Sequence, residues 1–429
     1  MVDVWLPYGI TDVCIRVPAR NFLGTIVPAE RQGAPDAKNE VERALRETIP
    51  IGSKRLSEIA KPESKVAIVV DDCTRRAPSE MMLLPVLAEL DLAGVKDENI
   101  TVIFGCGTHR AVKPEEAKAL LGAEAIKRVK VISHDCRAQD LVTIGTTKTH
   151  GNKVLVNRVF AEADVKVLLG DVGFHYYAGY GGGRKSVLPA VCGEETIKQN
   201  HAMLLHANAK TGNLIDNPVH QDMMEAAGLA KVDFVVNVVE NNNGEIVKAF
   251  AGDLETAFME AVKLVDEIYR LTLDRRADIL VVSAGGYPAD MNLYQAYKAL
   301  DNSLDAVKRG GVIILVAECA EGYGNQVFYD WMTRLGDLKN VEREIKRNFV
   351  LGGHKAYYLL KALQNHQIIL VSSLPDFYAT SIFKLKTSRA VNDAFSEALK
   401  IAGSASRVWV MPQGSITFPV FKAPEETKT

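Results

Sequence analysis

Short unbroken runs of aliphatic and β-branched residues recur along the chain at 66–70, 100–104, 165–169, 279–282, 312–316, 368–371 and 408–411. A run that is apolar on both faces, and that stops at Gly or Asp as the first three do, is the pattern of a buried parallel strand. Between these runs lie stretches with apolar residues at helical spacing, over 79–93, 114–121, 292–309 and 388–401. The alternation predicts an α/β architecture with mainly parallel sheets in both halves of the chain. One antiparallel element is expected: residues 234–240 and 245–250 flank Asn241-Asn242-Asn243-Gly244, and Asn-Gly supplies the positive-φ positions of a hairpin.

A long helical pattern over 254–271 runs into Asp274-Arg275-Arg276, after which a new strand–helix series begins. The 429 residues exceed the roughly 100–200 of one domain. Two α/β domains are therefore expected, with the active site in the cleft between them: 1–270 with 404–429 as a cofactor-binding domain, and 271–403 as a domain that closes over substrate. The Gly- and Pro-containing tail is read as returning to the first domain, with hinges near 271–276 and 401–406.

Composition narrows the class rather than naming it. Hydrophobic residues are 47% and charged residues 24%, ordinary globular usage. Fifty-one basic against 53 acidic residues leave a formal charge of −2, so no global field calls for nucleic acid or a membrane surface. The longest apolar runs fall far short of the ~20 residues that span a bilayer, and the N-terminus lacks the pattern of a secretory signal. A cytoplasmic location is expected. The six cysteines stand singly, with no CxxC pair.

Three constellations carry chemistry. The run at 66–70 delivers Asp71, Asp72, Thr74, Arg75 and Arg76 at its carboxyl end, where open α/β sheets bind ligands, and a guanidinium there can grip a carboxylate. The run at 100–104 leads into Gly105-Cys106-Gly107-Thr108-His109, which places an imidazole suited to general base work at the next strand end. The third stretch, 173–201, holds Gly173, Gly179, Gly181, Gly182 and Gly183 ahead of Arg184-Lys185-Ser186, so that backbone amides and two cations can converge on a phosphate. It is not a nucleotide P-loop, because Arg184 stands where that motif needs its second glycine, and no dinucleotide fingerprint is present. His175, Lys185 and His201, spaced by 10 and 16 residues, bracket the loop with groups that ligate metals or attack electrophiles.

Together DDCTRRAP, GCGTHR, GFHYYAGYGGGRKSVLP with the following Asn200-His201, and SAGGYPADMNLYQAYKA at 283–299 resemble the nickel-dependent lactate racemases and related 2-hydroxyacid racemases and epimerases. The resemblance covers essentially the whole chain. It implies a nickel pincer nucleotide, a pyridinium-3-thioamide-5-thiocarboxylic acid mononucleotide bearing nickel, covalently attached to Lys185 with His201 as metal ligand. It further implies His109 and His175 as the two acid/base groups, Arg75 on the substrate carboxylate, and Tyr294, Gln295 and Lys298 as further substrate contacts. Asp72, Arg184, Gly181, Gly182 and Gly183 then support or hold the cofactor. The activity implied is inversion at C2 of a 2-hydroxyacid by reversible hydride transfer through a 2-oxoacid, with a small-molecule substrate and cofactor-biosynthesis proteins as partners. The non-catalytic alternative is a protein that only binds or stores the nucleotide. Members acting on lactate carry a tryptophan in the second domain where residues 351–358 here offer His354 and Lys355; these, with Arg76, suggest an acid larger or more polar than lactate.

Overall fold

The structure is a computed structural model and describes residues 1–75 and 77–421; Arg76 lies outside the described residues. The chain divides into two compact units, Glu30–Glu267 and one formed by Met1–Ala29 with Ile268–Thr429.

The first unit is built on a six-stranded sheet ordered Ile246–Gly252, Phe234–Glu240, Val165–Asp171, Val66–Val70, Ile100–Phe104 and Lys130–Ser133. Every pairing is parallel except that of the Asn-Gly hairpin, which supplies the antiparallel edge strand. Each residue of Val66–Val70 is buried, as its two-faced apolar run requires, and packs beneath helix Ser79–Leu92 through Met82, Val86 and Leu90. The chain steps outward from Val66–Val70 to Ile100–Phe104 and Lys130–Ser133, then crosses back to Val165–Asp171 on the other side. The sheet therefore reverses its winding between Val66–Val70 and Val165–Asp171, and a crevice opens at such a switch point beyond the carboxyl ends of the strands.

The second unit repeats the design. Its sheet runs Lys386–Ser388, Gln367–Val371, Val307–Val316, Ala277–Ser283, Val408–Met411 and Phe22–Thr25, all parallel. Here the expected domain composition needs correction. The tail at 404–411 does not return to the first unit; Val408–Met411 pairs with Ala277–Ser283. Residues 1–29 also belong here, since Phe22–Thr25 extends the same sheet and the hairpin Val2–Tyr8/Thr11–Val17 packs Leu6, Ile15 and Val17 into its core. Among the described residues no helix is long and apolar enough to cross a membrane.

Asn21 fastens these distant segments. It is buried, its Nδ2 donates to the carbonyls of Ser404 (2.9 Å) and Ser406 (2.7 Å), and its own carbonyl accepts from Val408 N–H at 2.9 Å. Trp5, Trp331 and Trp409 all lie in this unit, so tryptophan fluorescence reports its unfolding alone. Asn21→Ala leaves the buried Ser406 carbonyl and the part-buried Ser404 carbonyl without this donor and is expected to cost about 1–3 kcal/mol. A fluorescence-monitored urea transition with an unchanged midpoint would refute this tie between the two ends of the chain.

Candidate active site

The carboxyl ends of Val66–Val70, Ile100–Phe104 and Val165–Asp171 gather the side chains singled out in the sequence. Just past the first strand, Asp72 is buried while its backbone turns: Arg75 N–H donates to Asp72 O, and Thr74 donates to Asp72 Oδ1 through both N–H (3.0 Å) and Oγ1 (2.6 Å). The other carboxylate oxygen meets His109 Nδ1 at 2.6 Å. Burial opposes ionisation of Asp72, but the bonds from His109 and Thr74 outweigh it and hold the carboxyl below its usual range. A carboxylate accepts, so His109 carries its proton on Nδ1 and presents Nε2 as the basic nitrogen. Gly105 and Gly107 let this loop lie against the neighbouring one, with Gly107 N–H donating to Ala190 O at 2.9 Å.

Arg75, Asp71, Asp171, Lys185, His175 and His201 lie close enough to perturb one another. Asp71 is pushed up to about 7 by burial and by the facing charge of Asp171, against the pull of Arg75. Lys185, in the short turn Gly183–Ser186, is 9% exposed with its Nζ 5.8 Å from the centre of the Tyr177 ring. Desolvation, then repulsion from Arg75 and Arg184, drives its amine well below the ordinary lysine value. His201, buried in the last turn of helix Glu194–Ala202, is lowered to about 3 by burial and by Lys185. His175 sits on a two-residue ladder, Phe174–His175 against Gly179–Tyr180. It stacks on Tyr176 and is likewise lowered, by burial first and then by Lys185 and Arg75. His175 and His201 are therefore uncharged near neutrality, and the Lys185 amine gives up its proton far more readily than an ordinary lysine.

The glycine loop is not the open cradle of amides that its sequence suggests. Gly181 N–H already donates to Gly173 O (2.7 Å) and Gly183 N–H to Asn237 Oδ1 (3.0 Å). Gly182 has φ +73°, and a Cβ there would come within 2.7 Å of Asp171 O, so the loop folds back on the strand end only because the side chain is missing. Arg184 turns inward as well. It is fully buried over the Phe258 ring, donating to the carbonyls of Ala178, Gly181 and Gly182 and, through Nε, to His220 Nδ1 at 3.1 Å. Arg184 and these glycines shape the loop.

Tyr294, Gln295 and Lys298 stand in the other unit on helix Leu293–Ser303, capped by Asn292 and following strand Ala277–Ser283. Beside them is Lys355, its Nζ 4.7 Å from the Tyr297 ring centre and 5.3 Å from that of Tyr294. Burial and the like charge of Lys298 lower it to about 7. His354 is fully buried and accepts from Gly352 N–H. Sequence reading passed over Asp171 and Asp222 and gave Asn200 no role of its own; Asp171 at least stands at the end of an apolar run, the signal that had marked Asp72.

Family models described as the lactate racemase N-terminal and C-terminal domains match residues 8–212 and 272–418. The chain is 32% identical over 422 residues to a lactate racemase of Thermoanaerobacterium thermosaccharolyticum, covering 96% of this chain and 98% of that protein. It is 31% identical over 424 residues to one of Lactiplantibacillus plantarum, covering 96% and 99%. The lactate racemase apoprotein structure from T. thermosaccharolyticum superposes with a TM-score of 0.89 at 32% identity, over 98% of this chain and all of that one. A Thermotoga maritima protein shares the fold at 19% identity, with a TM-score of 0.65.

The depressed histidines fix a pH dependence. His220 is lowered to about 3 by burial and by Arg184, and His175 lies well below its ordinary value. As pH falls from about 6.5 towards 3, the unfolded chain binds protons that the folded one does not, so stability is lost by up to about 1.4 kcal/mol per pH unit for each. His220→Gln removes one of these groups and is expected to flatten the fall in urea-derived stability between about pH 6.5 and 4. An unchanged slope would contradict the burial assigned to this imidazole.

Proposed function

Because the chain belongs to the lactate racemase family, a family of isomerases, we propose that it racemises or epimerises a 2-hydroxyacid at C2 with a nickel pincer nucleotide attached to Lys185. The observation that carries this reading is the convergence of a buried lysine held well below its ordinary value, two uncharged histidines and an Asp72-oriented third histidine at one strand-end crevice. An amine that has lost its proton has the lone pair needed for a covalent link. A buried neutral imidazole suits a nickel ion that brings its other ligands in an organic frame. When bound, the group supplies a reversible acceptor for the hydride of C2.

The chain's own residues do the rest. Arg75 holds the substrate carboxylate, for which two parallel N–H donors are apt. His109 Nε2 takes the hydroxyl proton of one enantiomer, while Asp72 stabilises the imidazolium that forms. His175, kept uncharged by burial, serves the other enantiomer once the planar 2-oxoacid presents its opposite face. A protein that only stored the nucleotide would have no use for the Asp72–His109 pair. Tyr294, Gln295 and Lys298 are assigned the remaining polar contacts with substrate. The second cation beside Lys298, Lys355, favours an acid with a further anionic or polar group, such as malate, a hydroxyglutarate or a sugar acid, over lactate. Cofactor-biosynthesis proteins are the partners required.

The test uses protein produced with the cofactor-making machinery. Lys185→Ala is expected to lose the covalent adduct in denatured mass, and His201→Ala to keep the adduct but lose nickel. Racemising a 2-deuterated substrate should leave deuterium on C2, and His109→Ala and His175→Ala should each slow both directions by about 10²–10⁴-fold. Deuterium lost to water, or a His109 variant with unchanged turnover on every accepted acid, would overturn the mechanism. Lactate as the best substrate would overturn the assignment to Lys355.

A further inference from the structure

His201 does not sit alone in its helix turn. Its Nδ1 faces Asn200 Oδ1 at 3.0 Å, and the Asn200 amide is held in turn by two groups on helix Pro218–Ala230. Asn200 Nδ2 donates to Val219 O at 3.1 Å and to Asp222 Oδ2 at 2.9 Å. Both partners can only accept, so the amide has one permitted orientation: its NH₂ towards Asp222 and its oxygen towards His201. That oxygen bears no hydrogen, hence the proton of the bond must come from Nδ1. A neutral imidazole has a single N–H, and the lone pair then resides on Nε2.

Asp222 is itself anchored. It is fully buried; Oδ1 accepts from Thr147 Oγ1 at 2.7 Å, and Oδ2 also accepts from Asn152 Nδ2 at 2.8 Å. Asn152 is fixed by its second donation, to Thr196 O at 3.0 Å, and Thr147 Oγ1 accepts from Asn152 N–H. A carboxylate held only by neutral donors is an expensive way to join two helices, since an amide or hydroxyl would pair there without burying charge. What the anion adds is a strong pull on the Asn200 NH₂, which fixes the direction of the amide and through it the tautomer of the histidine. Outer groups of this kind orient metal-bound imidazoles generally.

We propose that Asp222 and Asn200 are positioning residues that lock His201 as its Nδ1–H tautomer and so commit Nε2 to ligation. This rests on the reading of His201 as a nickel ligand. The test begins with cofactor-free protein labelled with ¹⁵N-histidine, the His201 signals being assigned by comparison with His201→Gln. Long-range ¹H–¹⁵N spectra of the unaltered chain are expected to show protonated Nδ1 and unprotonated Nε2; the opposite tautomer would overturn the proposal whether or not any variant folds. Asn200→Ala and Asp222→Asn are expected to give a mixture of tautomers. In cofactor-loaded protein they should retain the Lys185 adduct while nickel affinity falls about 10–100-fold. Loss of nickel in His201→Ala, with both tautomer and nickel unchanged in Asn200→Ala and Asp222→Asn, would overturn the relay alone. Full nickel in His201→Ala would instead overturn the reading of the ligand on which it stands.

Discussion

Withdrawal of basic groups from water at the carboxyl edge of the first sheet is the constraint on which the rest of the site depends. Taking an ammonium or guanidinium out of water costs several kcal/mol even after relaxation, and the buried Arg184 and Lys185 lie within reach of each other and of the more exposed Arg75. The outcome differs by residue type. Arg184 starts from so high a value that burial brings it only to about 9, and it stays charged, tied to three carbonyls and a histidine. Lys185 starts lower, has Arg75 and Arg184 as neighbours, and is driven well below its ordinary value. Asp71 and Asp171 offset part of the positive charge, yet they too repel each other, so Asp71 is only partly ionised near neutrality. The site thus holds neutral imidazoles and an amine that is easily deprotonated, without any exotic group.

The fold makes that concentration of charge possible. Strands wound in opposite directions from Val66–Val70 open a crevice beyond the strand ends between it and Val165–Asp171; Asp71, Asp72 and Arg75 follow the first strand, Asp171 ends the second, and His175 comes four residues later. The second unit uses the same arrangement, with Ala277–Ser283 flanked by Val307–Val316 and Val408–Met411 and with Tyr294, Gln295 and Lys298 in the segment that follows it. Rigid parallel strands fix the backbone at each ligand-facing residue, and glycines at Gly182 and Gly107 allow neighbouring loops to close over it.

How much of this was legible in sequence follows the range of the interaction. Val66–Val70, Ile100–Phe104 and Val408–Met411 are recognisable from their own residues, because burial on both faces writes itself as an unbroken apolar run. The membership of residues 1–29 and 404–411 in the second sheet is not: Phe22-Leu23-Gly24-Thr25 is a short, half-buried edge strand whose partner lies almost four hundred positions away. At the site, residue types at strand ends pointed to Asp72 and His109, and the glycine-rich loop pointed to Lys185. The inward turn of Arg184 escaped notice, since its sequence neighbours are compatible with either direction and only Phe258, His220 and the loop carbonyls decide it. Asp222 and Asn200 carry no local signal, being on two helices that meet only through packing.

The central claim is that burial and neighbouring cations hold the Lys185 amine well below its ordinary value before any cofactor arrives. Its most direct test is the titration of the Lys185 side chain in cofactor-free protein by ¹H–¹⁵N and ¹³C NMR, with Lys185→Arg identifying the resonance. The account predicts a midpoint displaced well below the ordinary lysine value, moving back upward when Arg75 is replaced by Gln, because a repelling charge is removed. A midpoint at the ordinary lysine value, unaffected by Arg75, would contradict it.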